Sequence, residues 1–538
     1  MKKYLTTIML LTLFMSGCYK DKGNYDYASK AKVIAEVTSA MHSYSAILGD
    51  RLHIPMTVTI AGVSESNLEY TWEIASGSDF IEISDQKAKN FDRVLGPDEY
   101  FPGNATFNIR LKVSWQENGG TIRAYSPLIA VIISGRRGLM VLHGNDNECD
   151  VGIISNSIFA ISATADIGND VIFDIYSRAN NGAKIQGKGV TVIQHNSNGS
   201  NATNSWIYMI TEQRPLSTPA KQTCTHASFI NFTRQGDYDD LFLTSVFGHK
   251  YHKGDPWQFQ FANSNRMLID GGDLFFTNQG TYPKFGGPYK FPALPEPPGY
   301  RFSRHSYLMV NGLGMSHCFD EIRRGFVSID PTRAPILVTT YPSTTGPFVP
   351  NDVQANLLFF DQGGSLGAAT ASINCFLGVF KDDFDDMFIG ELIFSDNPPG
   401  GSQAQFKYNV SGLPNFTAAK FYALGSANTM CYYATSEGVY QYAAMGPGGL
   451  ISGGKLKMEG SGVEVPFNGE VTMMRVIRIR STTGGVYQYH NRMMIVGTYE
   501  NGVGTLHAVL LNQASGTAVS HWQFPGFGRI YDANLKWL

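Results

Sequence analysis

Between Leu68 and Ile133 apolar side chains recur at every second position. Phe107, Ile109, Leu111, Val113 and Trp115 alternate with Asn108, Arg110, Lys112 and Ser114. A period of two sends the first set to a core and the second to water, which is the pattern of a half-buried β-strand. Leu68, Tyr70, Trp72 and Ile74 alternate in the same way, with Thr71 and Glu73 on the outer side. Further strands are predicted at Val33–Val37, Leu52–Ile60 and Leu128–Ile133, with turn-rich segments such as GPDEYFPGN between them. Several short alternating strands in about a hundred residues fit an immunoglobulin-like sandwich. Trp72 then sits at the centre of its core; the alternative is that Trp72 forms a ligand platform. No cysteine lies in this region, so apolar packing must hold the two layers together.

After SGRRG at 134–138 the pattern changes. Short apolar runs follow one another: GLMVL, SWIYMIT, DLFLTSVFG, GDLFFTN, SYLMVNG, GFVSID, NLLFFD, MFIGELIF, CYYATSEGVYQYA and RMMIVGTYE. Glycine, aspartate or asparagine surrounds them, as expected of strands and their turns. GVYQY begins at Gly438 and again at Gly485, a spacing in the range of one four-stranded propeller blade, about 40 to 50 residues. Runs such as NLLFFD show no polar alternation. Blades packed face to face can be apolar on both sides, and a closed ring leaves only short outer edges. The expectation is an all-β chain: a β-sandwich over residues 31–135, then a β-propeller-like domain of seven or eight blades over 136–538. A large irregular sandwich is the alternative for the second region.

Composition agrees with this class. Charged residues make up 16 % and aromatics 12 %, and there are 57 glycines, against about 25 % charged residues in a typical soluble protein. A net charge of −3 offers no electrostatic case for nucleic acid. Cys149, Cys224, Cys318, Cys375 and Cys431 are widely scattered with no CxxC pair, which suits buried small hydrophobes better than metal knuckles.

The N-terminus carries an address. Lys2 and Lys3 precede the apolar run Tyr4 to Met15, which is too short to span a bilayer and has the length and flanks of a secretory signal. Ser16 and Gly17 supply small residues for cleavage, and Cys18 follows. The series resembles a bacterial lipobox, in which the cysteine becomes the lipidated first residue. An ordinary secretory signal ending near Gly17 is the alternative. Residues 1–17 then form the signal peptide and 18–30 a solvated tether, since its lysines, aspartates and Gly23 disfavour packing.

Candidate chemistry is sparse. HExxH and a Walker loop are both missing. His249 and His252 in GHKYHKGD are three apart, but solvated histidines in a loop explain them without a metal. Asp382, Asp383, Asp385 and Asp386 in KDDFDD have oxygen ligands to offer calcium; they lack the glycine and distal glutamate of a known loop, and a solvated turn is the simpler reading. Residues 281–304 interleave Tyr282, Phe285, Tyr289, Phe291, Tyr300 and Phe302 with prolines. Proline lowers the entropy lost on binding and aromatic faces suit sugars or peptide side chains, so these six are candidate ligand-binding residues. The alternative is a flap with its aromatics turned inward.

The opening CYKDKGNYDY, the segment LEYTWEI and the stretch GLMVLHGNDNECDVGIIS together resemble the PKD-like lipoproteins of Bacteroidetes. Members commonly accompany SusC-like and SusD-like outer-membrane importers, and the family has no established catalytic residues to carry over. The resemblance implies an outer-membrane, surface-exposed lipoprotein anchored through Cys18. Its expected role is that of a non-catalytic accessory of nutrient uptake, binding a glycan or peptide or docking on the transporter. No cofactor, metal or nucleic acid is expected. A propeller-fold glycan- or peptide-active hydrolase is the alternative, because paired carboxylates can meet from different blades.

Overall fold

The computed structural model describes residues 35–96, 100, 106–133, 136–160, 169–196, 205–213, 221–238, 258–262, 265–270, 272–277, 299–303, 305–306, 316–330, 337–340, 346–362, 373–395, 403–425, 430–444, 449–477 and 487–536. Cys18, the signal, the tether, His249, His252, Tyr282, Phe285, Tyr289, Phe291 and Cys375 lie outside the described residues or have side chains that do. The described chain is all-β, with one short α-helix, Ile175–Ala179, among the described residues. It separates into two units. The smaller takes residues before Ser45, then Arg51–Arg93 and Thr106–Ile132; the larger holds Ser45–Asp50, Val94–Ala105 and the chain from Ile133 onward.

In the smaller unit the longest strand, Thr106–Glu117, pairs antiparallel with Glu69–Ser76, Ile129–Ile133 and Gly120–Tyr125. Its odd-numbered residues Phe107 to Trp115 are all buried, as the alternation predicts. Trp72 is fully buried, meets Phe91 edge-on at 5.2 Å and donates its indole N–H to the Ala88 carbonyl at 3.1 Å. It is a core residue, not a platform.

Two expectations are corrected here. Leu52–Ile60 is two strands, because Pro55 has no N–H to give a ladder: Arg51–Ile54 pairs with Phe91–Val94, and Met56–Ile60 pairs with Ala35–Ser39. Glu73 is buried and not on a watery face, because Arg110 and Lys112 each come within 2.8 Å of its carboxylate and neutralise it.

The larger unit is propeller-like. Its strands form seven antiparallel meanders among the described residues. The first contains Gly138–Gly144, Glu148–Ser155 and Asp170–Ile172, and the second runs from Lys188–Asn196 to Arg234–Tyr238. The third holds Gln258–Ala262, Asn265–Asp270 and Asp273–Thr277, and the fourth Ser316–Asp320, Gly325–Asp330 and Leu337–Thr340. The fifth, Asn356–Gln362 to Gln403–Gly412, and the sixth, Phe421–Leu424 to Leu450–Lys455, are joined where their last strands pair in parallel. The seventh comprises Glu470–Val476, Met493–Glu500, Val503–Leu511 and Ala518–Phe527.

The last strand of the chain, Arg529–Lys536, returns to pair with Gly138–Gly144 and so completes the first blade. That pairing removes an edge and ties the beginning of the unit to its end. Asp532 on this strand accepts hydrogen bonds from the Thr191 hydroxyl (2.6 Å) and the Val192 N–H (3.1 Å) of the second blade. Arg475 of the seventh blade reaches its other oxygen at 3.1 Å. At the far end Lys536 is buried, donates to the Arg136 carbonyl at 2.7 Å and lies 4.2 Å from the Phe229 ring centre; burial lowers its pKa to about 7. Gly138 is required at the entry. Its φ is +139°, and a Cβ would stand 2.1 Å from the Ile154 carbonyl oxygen.

Apolar clusters fill the spaces between blades. Phe319 and Phe326 of the fourth pack with Phe360, Phe376, Phe380 and Phe388 of the fifth. Met430, Tyr432 and Ala434 of the sixth pack with Met494, Val496 and Val509 of the seventh.

The GVYQY repeat does not mark equivalent positions. Gly438–Ala443 is the third strand of the sixth blade, whereas Tyr487–Tyr489 forms a turn before Met493–Glu500, with the Tyr487 hydroxyl donating to the Ile158 carbonyl at 2.6 Å. First strands begin at Asn356, Phe421 and Glu470, so the blades have no fixed period. Cys149, Cys224, Cys318 and Cys431 are buried and take part in no disulfide among the described residues.

Candidate functional site

In a ring of meanders the strands alternate in direction. The hairpin between second and third strands therefore opens at the same end as the connection into the next blade. In the fifth, sixth and seventh blades these hairpins lie at residues 382–386, 436–437 and 501–502. The hairpin at 321–324 in the fourth blade joins this rim directly, because Arg324 Nη1 bonds Asp383 Oδ2 at 2.7 Å and the Arg324 carbonyl accepts from Val353. The candidate groups gather on this rim.

The aspartate cluster is a self-contained turn. Asp382 Oδ1 accepts the N–H groups of Phe384 and Asp386, both at 2.9 Å. Asp383 pairs with Arg324, whose guanidinium holds its carboxyl below the usual range, and Asp385 pairs with Lys381 at 2.7 Å. Among the described residues no group of three or more His, Cys, Asp or Glu is placed to hold a metal ion. The turn displays Phe384, which is 87 % exposed.

Of the six predicted aromatics, Tyr300 and Phe302 are described. Phe302 is buried, so it is an anchor and offers no face to a ligand. Tyr300 stacks on it at 5.3 Å, with the Arg323 guanidinium 5.0 Å from the Tyr300 ring centre. Arg323 is itself fixed by Asp320 Oδ2 (2.6 Å) and the Gly299 carbonyl (2.7 Å). This end of the segment is packed down.

The seventh blade holds a polar pocket that the sequence reading missed. Its volume is about 210 Å³. Three exposed side chains, Asn468, Glu500 and Gln523, stand at its mouth, and buried Thr498 and His507 form its floor, with Thr505 between. Strand register explains the gathering. Thr498 is opposite Thr505, and His507 is opposite Gln523. Side chains two apart share a face, so residues from three strands and the preceding connection meet at one point.

The floor is a hydrogen-bonded chain. The Thr498 hydroxyl lies 3.0 Å from His507 Nε2, and His507 Nδ1 lies 2.9 Å from His521 Nε2. The two imidazoles stack at 5.2 Å, and Phe467 covers them with its ring centre 5.2 Å from that of His507. Burial lowers the His507 pKa to about 3, with a smaller push from His521, and burial also lowers that of His521. Both rings are therefore neutral near pH 7. Among the described residues no Lys or Arg lines the pocket, and Glu500 is its one carboxylate. No short motif announces this site, since Asn468, Thr498, His507 and Gln523 are linked only by register.

Comparison with known proteins gives three findings. No curated protein matches the chain. Among solved structures, the β-propeller domain of Cps50 (Swd1) from Myceliophteria thermophila aligns with a TM-score of 0.28 and 9 % identity, covering 58 % of this chain and 95 % of that one. The PKD-like family model matches residues 18–189. The match starts at Cys18, includes the smaller unit and LEYTWEI, and runs through GLMVLHGNDNECDVGIIS into the second blade. Over residues 18–189, the chain is similar to the PKD-like family.

Proposed function

We propose that the protein is an outer-membrane lipoprotein, anchored through Cys18 and displayed at the cell surface, which binds a ligand beside a SusC/SusD-type nutrient importer without turning it over. One observation carries the preference for binding over hydrolysis. The blade-seven pocket has several hydrogen-bonding groups but, among the described residues, a single carboxylate, Glu500. A glycosidase needs two, about 5 to 10 Å apart. The imidazoles in the floor are held neutral by burial and bonded to each other, which suits fixed recognition. The PKD-like match beginning at Cys18 and the signal-like series before it support the anchor. A tethered binder raises ligand concentration next to a transporter, so weak affinity suffices.

The test is made in cells. Cys18→Ser is expected to abolish palmitate labelling and release the protein from membranes. Protease shaving of intact cells is expected to digest the wild type, and a SusC/SusD-like pair is expected to co-purify with it. A protein shielded from protease that hydrolyses a glycan or peptide when purified would establish the hydrolase reading instead.

A further inference from the structure

We propose that the blade-seven pocket binds one neutral sugar unit, with Thr498 as a hydroxyl-reading contact whose polarity is set by the His507–His521 pair. This rests on the binding reading above and names the ligand class of the pocket within it.

The pocket's chemistry narrows the ligand. An anionic group would need a cation, and among the described residues no Lys or Arg lines the cavity. An ammonium group is held by aromatic faces or by buried carboxylates; here, among the described residues, Val503 is the one apolar lining residue and Glu500 is exposed to solvent. A peptide could add a strand to the free edge of Ala518–Phe527, but its side chains would need apolar pockets, and among the described residues Val503 alone supplies apolar lining. What remains is a small uncharged molecule rich in groups that both donate and accept. The amides of Asn468 and Gln523 do both at once, and a carboxylate such as Glu500 accepts from two adjacent hydroxyls. The cavity, at about 210 Å³, is below the usual range for drug-sized ligands and fits a single ring.

The floor adds a feature suited to hydroxyls. Two neutral imidazoles joined through one hydrogen bond have two tautomeric arrangements. In the first, His507 Nδ1–H donates to His521, and the bare His507 Nε2 accepts the Thr498 proton. Thr498 then offers only lone pairs to the pocket. In the second, His521 Nε2–H donates to His507, and His507 Nε2–H donates to Thr498. The Thr498 hydroxyl then has its own proton free for the ligand. The distances of 3.0 and 2.9 Å serve either arrangement. Thr498 can therefore accept from or donate to a sugar hydroxyl without leaving a buried polar atom unsatisfied. A charged imidazolium would remove the choice, and burial beneath Phe467 keeps the pair neutral.

The experiment uses the purified mature chain near neutral pH. Glucose, galactose and mannose are titrated by saturation-transfer NMR, with glucuronic acid and glucosamine as charged counterparts. The expected result is saturable binding of at least one neutral hexose, tighter than that of either charged counterpart. Thr498→Val is expected to weaken it about 3- to 10-fold, the loss of one neutral hydrogen bond, with Thr498→Ser restoring it. Gln523→Leu, at the exposed mouth, is expected to weaken it similarly with the fold unchanged. Absence of binding by all three hexoses, tighter binding of a charged sugar, or equal affinity in Thr498→Val and Gln523→Leu would overturn the proposal. Those failures would leave surface display and co-purification with the importer standing, so the two readings fall separately.

Discussion

The strand Thr106–Glu117 of the sandwich and the strand Met430–Thr435 of the ring solve different burial problems. The first buries one face on the core and turns the other towards charged neighbours, so its residues alternate. The second has every side chain buried, because a blade has another blade against each of its faces. One consequence is energetic. The sandwich packs a few large side chains, Trp72, Trp115 and Phe91 among them, into one small unit, whereas the ring spreads its packing over several inter-blade clusters and a closing strand. The other consequence concerns polar groups. A half-buried sheet can neutralise a charge on its outer face, as Arg110 and Lys112 do for Glu73. A strand buried on both faces must bury its histidines neutral.

Trp72→Ala tests the first contrast and has the largest expected effect. Removing a fully buried indole with an edge-on ring partner and a hydrogen bond costs about 3 to 5 kcal/mol. In a small sandwich that is a large share of total stability. Calorimetry should show the sandwich transition falling steeply in temperature or disappearing. An unchanged transition would mean that the sandwich core does not depend on Trp72.

The same contrast decides what could be read before folding. Alternation exposed the sandwich strands because one face of each meets water, and it placed Trp72 correctly. It failed at Glu73, whose burial depends on Arg110 and Lys112 from the neighbouring strand, a pairing that no local pattern reveals. In the ring, apolar runs located strands but not their limits. CYYATSEGVYQYA lies in a hairpin of Met430–Thr435 and Gly438–Ala443, its two-residue turn at Ser436–Glu437 marked only by the Gly438 that closes it. The GVYQY identity suggested a period that the blades do not keep. The blade-seven pocket was illegible for a further reason: Thr498, His507 and Gln523 become neighbours through cross-strand register, and Asn468 through the chain's path between blades.

Acid separates the two regions next. His226, His317 and His507 of the ring have pKa values lowered by burial, to about 4, 3 and 3. A histidine lowered in the folded state favours folding fully above its unfolded value near 6.5. That contribution is lost as pH falls through the folded value. Glu73 of the sandwich behaves differently. Burial raises its pKa, but the hydrogen bonds from Lys112 and Arg110 outweigh this and the net shift is downward. Its contribution is present above the ordinary carboxylate range and is lost only as pH falls below it. Asp150, raised by burial, opposes the histidines by taking up a proton in the folded ring. Between about pH 6.5 and 4.5 the ring should therefore lose stability, roughly 1 to 2 kcal/mol per buried histidine, while the sandwich holds. Calorimetry across this window, with Trp72→Ala identifying the sandwich transition, checks the order. A sandwich that weakens first would reverse the argument.

The smallest effect probes how blades are joined. Tyr432, on the second strand of the sixth blade, donates its hydroxyl to the Gly516 carbonyl of the seventh at 2.8 Å, with both groups buried. Its ring packs in the cluster shared by the two blades, so Tyr432→Phe keeps the apolar contact and deletes one inter-blade hydrogen bond. The Gly516 carbonyl is then left without this donor where water has little access. The expected cost is about 1 to 2 kcal/mol, seen as a fall of a few degrees in the ring transition. The sandwich transition should not move. A null effect would mean that apolar packing alone sets this seam and that the carbonyl finds another donor. A fall much larger than predicted would mean that Tyr432 carries strain or packing for the whole ring, and the contrast between a compact and a distributed core would fail.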